Sequence, residues 1–248
     1  GTAGITVNSG GGLVYSHSSL TLSNALSLAG NGWNESTGYL GALRLQNGAN
    51  FGGAITLTAD ARIGAHNDNG TVSGVISGSY NLEFNTPAGY SNSLVYLTNT
   101  NTYSGTTFIN AGTLQVGNGG ATGSLGSGNV VNNTALIFNS TGNSVVSGVI
   151  SGDGTFTKLG SGTVALTAAN TYTSATTLSA GTLGIYNNTA LSTGAVNAAD
   201  GTTLKFGRTV TNFANNITLN GNVTFELDTS VDYLIVAGGG GGGGGGWG

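Results

Sequence analysis

The residues of this sequence that could do acid–base chemistry are few. Nine carboxylates occur in 248 residues, and Glu226, Asp228 and Asp232 are the only cluster among them. On one strand face Glu226 and Asp228 would project about 7 Å apart, a spacing that inverting glycoside hydrolysis could use. A solvated strand face explains the same pattern more simply, so the cluster does not predict a catalytic pair.

Other reactive side chains form no recognisable constellation. His17 and His66 lie in different contexts without metal-ligand spacing, and solvated turns explain both. Cysteine is absent, which removes thiol catalysis and Cys-type zinc sites. The turns at 68–70 and 153–154 could hold calcium, but neither fits the nonapeptide calcium repeat. We therefore predict no catalytic residue, no metal site, no cofactor and no enzymatic activity.

Aromatic residues near turns offer a second kind of chemistry, because an exposed ring beside polar groups can contact a sugar. Trp33, Tyr39, Tyr90 and Tyr96 lie in or near predicted loops, and a shallow contact with host or surface glycans is one interpretation. Capping of the apolar core by tyrosines at strand ends is the simpler interpretation, and it is favoured.

Composition excludes several classes of protein. Charged residues make up 6% of the chain, against roughly 25% in an average soluble domain. Lys and Arg total five, so no basic patch predicts nucleic-acid binding. No apolar run approaches the roughly 20 residues of a membrane-spanning helix. Hydrophobic residues reach 38% and recur in short regular runs, which does not fit a disordered chain.

Short strands are the elements that must position these residues. Apolar and polar residues alternate with a period of two, for example at 217–220 and 223–228, which predicts strands with one buried face. Gly, Asn, Ser or Asp occupies nearly every gap and supplies tight turns. No helical stripe longer than two turns is convincing, since 20–28 fits a strand equally well.

Three strings repeat in one order along the chain and at a nearly constant offset. SGVISG occurs at 73–78 and 147–152, NTY at 101–103 and 170–172, and AGTL at 111–114 and 180–183. We predict repeats at about 73–146 and 147–216, and a weaker copy at about 29–70, within a solenoid domain at 1–237. Ile76 and Ile150 should both face the core, and Asn101 and Asn170 should occupy matching turns or form side-chain ladders.

The repeats favour stacked coils, because one coil cannot bury its own apolar face. An antiparallel sandwich is the main alternative. The solenoid is preferred because the repeats run along the chain and large aromatics are sparse, the inward set being mostly Val, Ile, Leu and Ala. We predict an all-β fold, a right-handed parallel β-helix (β-solenoid) of about ten coils.

Two segments resemble the passenger-associated repeat of bacterial autotransporters: TYSGTTFINAGTLQVG at 102–117 and TKLGSGTVALTAANTYTSATTLSAGTLGIY at 157–186. The family pattern is a Lys-x-Gly-x-Gly strand, then Asn-Thr-Tyr-Ser-Gly, then Ala-Gly-Thr-Leu. Lys158, Gly160 and Gly162 match its first part in the second copy only. The resemblance implies a parallel β-helix displayed outside a Gram-negative cell, mostly as an adhesin or a stalk.

The C-terminal residues 238–248 form a polyglycine tail that ends Trp247-Gly248. The tail resembles glycine-rich segments of phage tail and other surface proteins. Extended polyglycine can lie close to a neighbouring backbone, so we predict a head-to-tail assembly contact through Gly238, Gly246 and Trp247. Such heterologous contacts give filaments when they do not close into rings.

These features predict a non-enzymatic extracellular or cell-surface protein with a structural or adhesive role, such as a stalk, an adhesin passenger or a self-assembling filament subunit. The alternative is a tail-fibre-like β-helix protein that binds or cleaves polysaccharide. The predicted partners are other copies of the chain and host or surface glycans.

Overall fold

The computed structural model describes residues 3–35, 38–85 and 94–229. This part of the chain consists of strands and turns, and no helix in it could cross a membrane. The strands are β1 (Ile5–Val7), β2 (Leu13–Ser16), β3 (Thr21–Leu22), β4 (Leu26–Gly30), β5 (Asn34–Glu35), β6 (Gly38–Tyr39), β7 (Leu43–Gln46), β8 (Asn50–Phe51), β9 (Ile55–His66), β10 (Gly70–Val72), β11 (Ile76–Ser77), β12 (Leu82–Phe84), β13 (Leu94–Leu97), β14 (Thr107–Ile109), β15 (Thr113–Val116), β16 (Val130–Asn132), β17 (Ala135–Phe138), β18 (Ser144–Val146), β19 (Ile150–Ser151), β20 (Thr155–Lys158), β21 (Thr163–Leu166), β22 (Thr176–Leu178), β23 (Thr182–Ile185), β24 (Val196–Ala199), β25 (Thr203–Phe206), β26 (Ile217–Asn220) and β27 (Thr224–Leu227).

Three parallel sheets form the sides of the molecule. Sheet 1 follows the order β1-β4-β9-β12-β14-β16-β19, with β2, β7 and β11 also paired into it. Sheet 2 follows β3-β8-β10-β13-β15-β17-β20-β22-β24-β26, and sheet 3 follows β18-β21-β23-β25-β27. Because the ten strands of sheet 2 pair in chain order, the chain passes this side ten times. The predicted all-β parallel solenoid of about ten coils is confirmed, and the sandwich alternative is wrong.

The core lies between the three sheets and is mostly aliphatic, with several large aromatic rings buried in it. Most inward residues are Leu, Ile, Val and Ala, as expected. The largest fully buried side chains, however, include two tyrosines and four phenylalanines: Tyr103, Tyr172, Phe51, Phe84, Phe138 and Phe156. The expectation that the inward residues are mostly aliphatic is confirmed, and these six rings are the largest side chains among them. Some of the rings stack between coils, as Phe156 does with Phe138 and Tyr172, at centroid distances of 5.7 and 6.2 Å.

The repeated string SGVISG meets the same backbone requirements in both copies. A side chain at Gly74 would overlap the carbonyl of Gly53 in the coil before it, and one at Gly148 would overlap the carbonyl of Gly128. The last glycine of each copy has a positive φ, +117° at position 78 and +100° at position 152. The two glycines of the string are therefore needed because successive coils approach closely at the first and the chain turns at the last.

The repeated Asn of NTY joins three successive coils. Asn101 Oδ1 accepts from the Ile76 amide at 2.9 Å, and its Nδ2 donates to the Ser124 carbonyl at 2.7 Å. Asn170 Oδ1 accepts from the Ile150 amide at 2.7 Å, and its Nδ2 donates to the Ala190 carbonyl at 2.6 Å. Both asparagine side chains are buried. The predicted equivalence of the two asparagines is confirmed.

The repeated Tyr of NTY fills the core beside the Asn. Tyr103 and Tyr172 are fully buried, and each hydroxyl pairs with a buried threonine four residues later, Thr107 at 2.7 Å and Thr176 at 2.6 Å. Burial raises the pKa of Tyr172 to about 12. These hydroxyls therefore stay neutral and structural at ordinary pH.

Replacing Ile150 with Ala should lower the free energy of unfolding by roughly 2–5 kcal/mol, because the side chain is fully buried and a cavity would remain. Ile76, which is also fully buried, should behave in the same way. Chemical denaturation followed by circular dichroism measures the change. Val145→Ala is the control, since Val145 is 63% exposed on β18. Equal losses for Ile150→Ala and Val145→Ala would contradict the core assignment.

Candidate functional site

One coil near the N-terminus is longer than the coils that follow it and forms an arm. In sheet 2, Phe156 pairs with Thr176, so one coil of the second repeat runs from residue 156 to 176. Thr21 pairs with Asn50, so the coil near the N-terminus runs over the longer stretch from 21 to 50. The longer coil contains residues 31–40, called the arm here, in which β5 and β6 form an antiparallel pair. Insertions into solenoid coils often build the binding face of the molecule.

Two arginines hold the arm against the outer face of sheet 1. Arg44 Nη1 donates to Glu35 Oε1 at 2.6 Å. Arg62 Nη1 donates to the Tyr39 carbonyl at 2.6 Å, and its Nε and Nη2 donate to Glu83 Oε2 at 2.9 and 2.7 Å. The two arginine side chains are only 11% and 14% exposed. Since they are shielded from water, these charge-assisted bonds fix the arm more firmly than surface pairs would.

His66 lies beside Arg44, not in a solvated turn. It is the last residue of β9, and its Nδ1 is 3.3 Å from Arg44 Nη2 and 3.1 Å from the side-chain amide of Gln46. Burial, followed by the positive charge of Arg44, lowers the pKa of His66. The prediction of a solvated turn is wrong for His66, because β9 continues to it and places it beside Arg44. His17 is exposed, and its Nδ1 accepts from the Leu20 amide at 3.0 Å.

A polar groove runs between the arm and sheet 1. One half has a volume of about 300 Å³, and its lining includes Asn31, Asp60, Asn81, Glu83, Phe108 and Asn110. The other half has a volume of about 340 Å³, and its lining includes Ser9, Gly10, Gly30, Asn31, Tyr39 and Asp60. The two halves adjoin each other, since Asn31 and Asp60 line both.

Hydrogen bonds between coils fix the polar side chains of the groove. Asp60 Oδ1 and Oδ2 accept from the amide and Nδ2 of Asn81, at 2.9 and 3.0 Å. Farther along sheet 1, Asn110 Nδ2 donates to Glu83 Oε1 at 2.8 Å, and Asn133 Nδ2 donates to Asn110 Oδ1 at 2.9 Å. These contacts orient the amides and carboxylates before any ligand arrives, which reduces the entropy cost of binding.

The acids that the sequence analysis considered lie far along the chain from the groove and pair with a lysine. Lys205 Nζ lies 3.3 Å from Glu226 Oε1 and 3.5 Å from Asp228 Oδ1. The pKa of Lys205 is raised, above all by its interaction with Glu226. Asp228 Oδ2 also accepts from the Tyr186 hydroxyl at 2.8 Å. Glu226 and Asp228 therefore stabilise the last described coils, and Asp232 lies outside the described residues.

The aromatic residues that the sequence indicated as possible sugar contacts do not lie on one face of the molecule. Tyr39 is 45% exposed and lines the groove, and Trp33, 39% exposed, packs beside Gly12. Tyr39 does not cap the apolar core, since its ring is exposed. Tyr96 lies in sheet 2, where its hydroxyl accepts from Asn69 Nδ2 at 3.2 Å.

Several residues that the sequence analysis names fall outside the described part of the chain. They include Tyr90 and the proposed assembly contact at Gly238, Gly246 and Trp247, which stays a prediction. The boundaries of the repeats and of the tail also stay predictions. Within the described ranges, no group of three or more His, Asp or Glu is arranged to hold a metal ion.

Sequence reasoning missed most of the groove. Asn31, Asp60 and Asn81 are far apart in sequence and belong to no motif, and the repeat at 102–117 that contains Phe108 and Asn110 does not mark them as part of a groove. One signal could have indicated the groove, namely the long stretch of sequence between the strands near 21 and 50, which pair with each other. A coil of that length predicts an insertion on one face of the solenoid.

Comparison with known proteins agrees with the solenoid and its repeats. The passenger-associated-transport-repeat family matches residues 95–116 and 156–185. The adhesin BmaC autotransporter of Brucella suis biovar 1 (strain 1330) is 55% identical over 56 residues. That match covers 23% of this chain and 2% of the adhesin. No solved structure matches the chain.

The matched repeats coincide with stacked strands of all three sheets. Residues 95–116 include β14 and β15, and 156–185 include β21, β22 and β23. The similarity of the tail to phage tail proteins finds no support in these comparisons. Two stretches of the chain therefore match the passenger-associated transport repeat, and its parallel β-solenoid with such repeats is similar to autotransporter passengers.

Proposed function

We propose that this chain is a non-enzymatic, adhesive part of an extracellular or cell-surface protein of a Gram-negative bacterium. The regular coils act as a spacer, and the face with the arm makes the adhesive contact. Support comes from the passenger-associated repeats and from the relative, which is named as an adhesin. The relative is far longer than this chain, so the proposal concerns only what these coils contribute.

The observation on which the proposal rests is the contrast between the arm and the other coils. Sheet 3 repeats with nearly constant spacing along the C-terminal half, for example from Ser144 to Val164 and from Thr203 to Thr224. The arm interrupts this regularity, is fixed by Arg44 and Arg62, and borders the groove. A preformed concave site beside regular coils is the natural place for a ligand.

The enzymatic alternative has no comparable support among the described residues. Paired acids for hydrolysis need one carboxyl group free to protonate the leaving oxygen and another to activate water. Glu226 and Asp228 both lie within 3.5 Å of Lys205 Nζ. In the groove, Glu83 is paired with Arg62.

Beads coated with the purified chain should be retained on monolayers of epithelial cells, and removal of the arm should reduce retention about tenfold. The arm-deleted variant lacks residues 31–40, which shortens its coil toward the length of the others. Microscopy counts the beads per cell. Beads coated with a variant of the other end, Glu226→Gln, provide the matched control and should be retained like wild type.

Two results would contradict the adhesive role. One is equal retention of wild-type and uncoated beads on every surface tested. The other is equal retention of wild type and an arm-deleted variant that circular dichroism shows to be folded, since the adhesive contact would then lie elsewhere. Hydrolysis of a polysaccharide by the wild-type chain would contradict the non-enzymatic part of the proposal.

A further inference from the structure

One half of the groove contains an apolar ring, that of Phe108, among several polar side chains. Phe108 lies on β14 between Thr107 and Ile109, whose side chains point into the core, so its ring faces outward. Its cross-strand neighbours are Glu83 and Val131. The ring is half-buried and lines the groove. An outward phenylalanine flanked by amides offers a flat surface on which the C–H face of a sugar can pack.

The polar groups around Phe108 suit hydroxyl groups. A sugar hydroxyl both donates and accepts, so it needs carboxylate or carbonyl oxygens and amide N–H groups together. Asp60 supplies a carboxylate and Asn110 supplies an amide to the same half of the groove as the ring. The Asn31 side chain makes no hydrogen bond within the described residues and is exposed at the junction of the two halves, where it can serve either role.

The charges of the groove argue against an ionic ligand. The guanidinium of Arg62 is already bound to Glu83 Oε2 and to the Tyr39 carbonyl, so it is not directed at an anion. A calcium ion needs six to eight oxygen ligands. Both oxygens of Glu83 are engaged, one by Arg62 and the other by Asn110. A neutral ligand rich in hydroxyl groups fits this lining better than a cation or an anion.

The size of the groove favours more than one sugar ring. Each half, at about 300 and 340 Å³, is at the lower end of the range for small-ligand sites. Phe108 lines one half and Tyr39 lines the other, so the groove presents an aromatic surface in each.

We propose that this groove binds a neutral oligosaccharide. One sugar ring packs on Phe108, a second contacts Tyr39, and hydroxyl groups bond to Asp60, Asn31 and Asn110. This inference rests on the proposed adhesive function and names its ligand class.

The test uses the whole chain on an array of immobilised oligosaccharides. The array contains neutral glucose-, galactose- and mannose-based chains, with sialylated and sulfated chains as comparison arms. Neutral oligosaccharides should bind, and titration calorimetry with the best binder should show about tenfold weaker affinity for Phe108→Thr and for Asn31→Ala. Threonine keeps the strand preference of position 108, and the Asn31 side chain supports no described contact, so both variants should fold.

The matched control is Tyr96→Thr, which removes a partly buried, outward aromatic ring from sheet 2 and should leave affinity unchanged. Binding restricted to sialylated or sulfated chains, binding abolished by EDTA, or equal affinity of wild type and Phe108→Thr would each overturn the inference. So would no binding anywhere on the array.

The bead assay separates the two proposals. If wild-type beads adhere to cells and the arm-deleted beads do not, while the array shows no binding to a neutral saccharide, the adhesive function stands and its ligand class is wrong. If wild-type beads do not adhere and the array shows saccharide binding that is lost in Phe108→Thr, the groove assignment stands and the adhesive role fails.

Discussion

Replacing Asn170 with Ala is expected to lower the free energy of unfolding by roughly 2–5 kcal/mol, because it leaves two buried backbone groups without partners. The Ile150 amide loses its acceptor, Asn170 Oδ1, at 2.7 Å, and the Ala190 carbonyl loses its donor, Asn170 Nδ2, at 2.6 Å. Neither group can turn to water, since Ile150, Asn170 and Ala190 are all buried.

Hydrogen exchange gives this prediction a local measurement. In a stack of coils stability depends mainly on contacts between neighbours, so the Ile150 amide should lose protection more than amides in distant coils. Chemical denaturation gives the global loss. Asn101→Ala should behave in the same way through the Ile76 amide and the Ser124 carbonyl.

The matched control is Asn143→Ala. Asn143 Oδ1 also accepts a backbone N–H, that of Thr163 at 3.1 Å, but it is exposed, so water can replace it. If Asn170→Ala lowers the free energy of unfolding no more than Asn143→Ala does, the buried asparagines do not hold neighbouring coils together.

The fold could be predicted from the sequence because its requirements are local. In SGVISG, the first glycine permits the close approach of two coils, the isoleucine enters the core and the last glycine makes the turn. Repetition of the string at 73–78 and 147–152 shows that the same requirement returns along the chain. Parallel stacking follows because only neighbouring coils can bury such faces.

The buried tyrosines could not be predicted by the same reasoning. Period-two alternation assigns a residue to the core by its apolar character, and tyrosine has a hydroxyl group that needs a partner. Tyr172 is buried because Thr176 supplies that partner four residues later. The sequence contains both residues, but only the path of the backbone brings them together.

The groove could not be predicted because its residues come from different coils. Asn31 lies in the arm, Asp60 on β9 and Phe108 on β14. Nothing in their local sequence separates them from other residues on outward faces. Their proximity depends on the stacking register and on the two arginine contacts that place the arm beside sheet 1.

The buried lysine of the second repeat should make stability depend on pH. Lys158 ends β20 between the core positions of Phe138 and Leu178 and is fully buried. Its ammonium donates to the carbonyls of Gly160 and Ala180, the latter at 3.2 Å. No acidic partner accompanies it in the described residues. Burial therefore lowers the pKa of Lys158 from 10.5 to about 8.

The direction of the effect follows from proton binding in the two states. Between pH 8 and 10.5 the unfolded chain keeps the proton of Lys158 and the folded chain releases it. The free energy of unfolding therefore rises with pH between pH 8 and 10.5. Below pH 8 Lys158 is charged in both states, and the folded chain bears the full desolvation cost of the buried ammonium. Tyr103 and Tyr172 have the opposite effect near pH 10, where stability falls as pH rises. Burial raises the pKa of each hydroxyl, so the unfolded chain loses these protons before the folded chain does.

Comparison of wild type with Lys158→Met isolates the lysine from the tyrosines. Methionine keeps an unbranched chain of similar length without the charge, and loss of the two carbonyl contacts gives an offset that does not depend on pH. From pH 7 to pH 9.5 the stability of wild type relative to Lys158→Met should rise by about 2 kcal/mol. Urea denaturation at several pH values measures it. A difference that stays constant across this range would mean that the Lys158 ammonium keeps an ordinary pKa and reaches water.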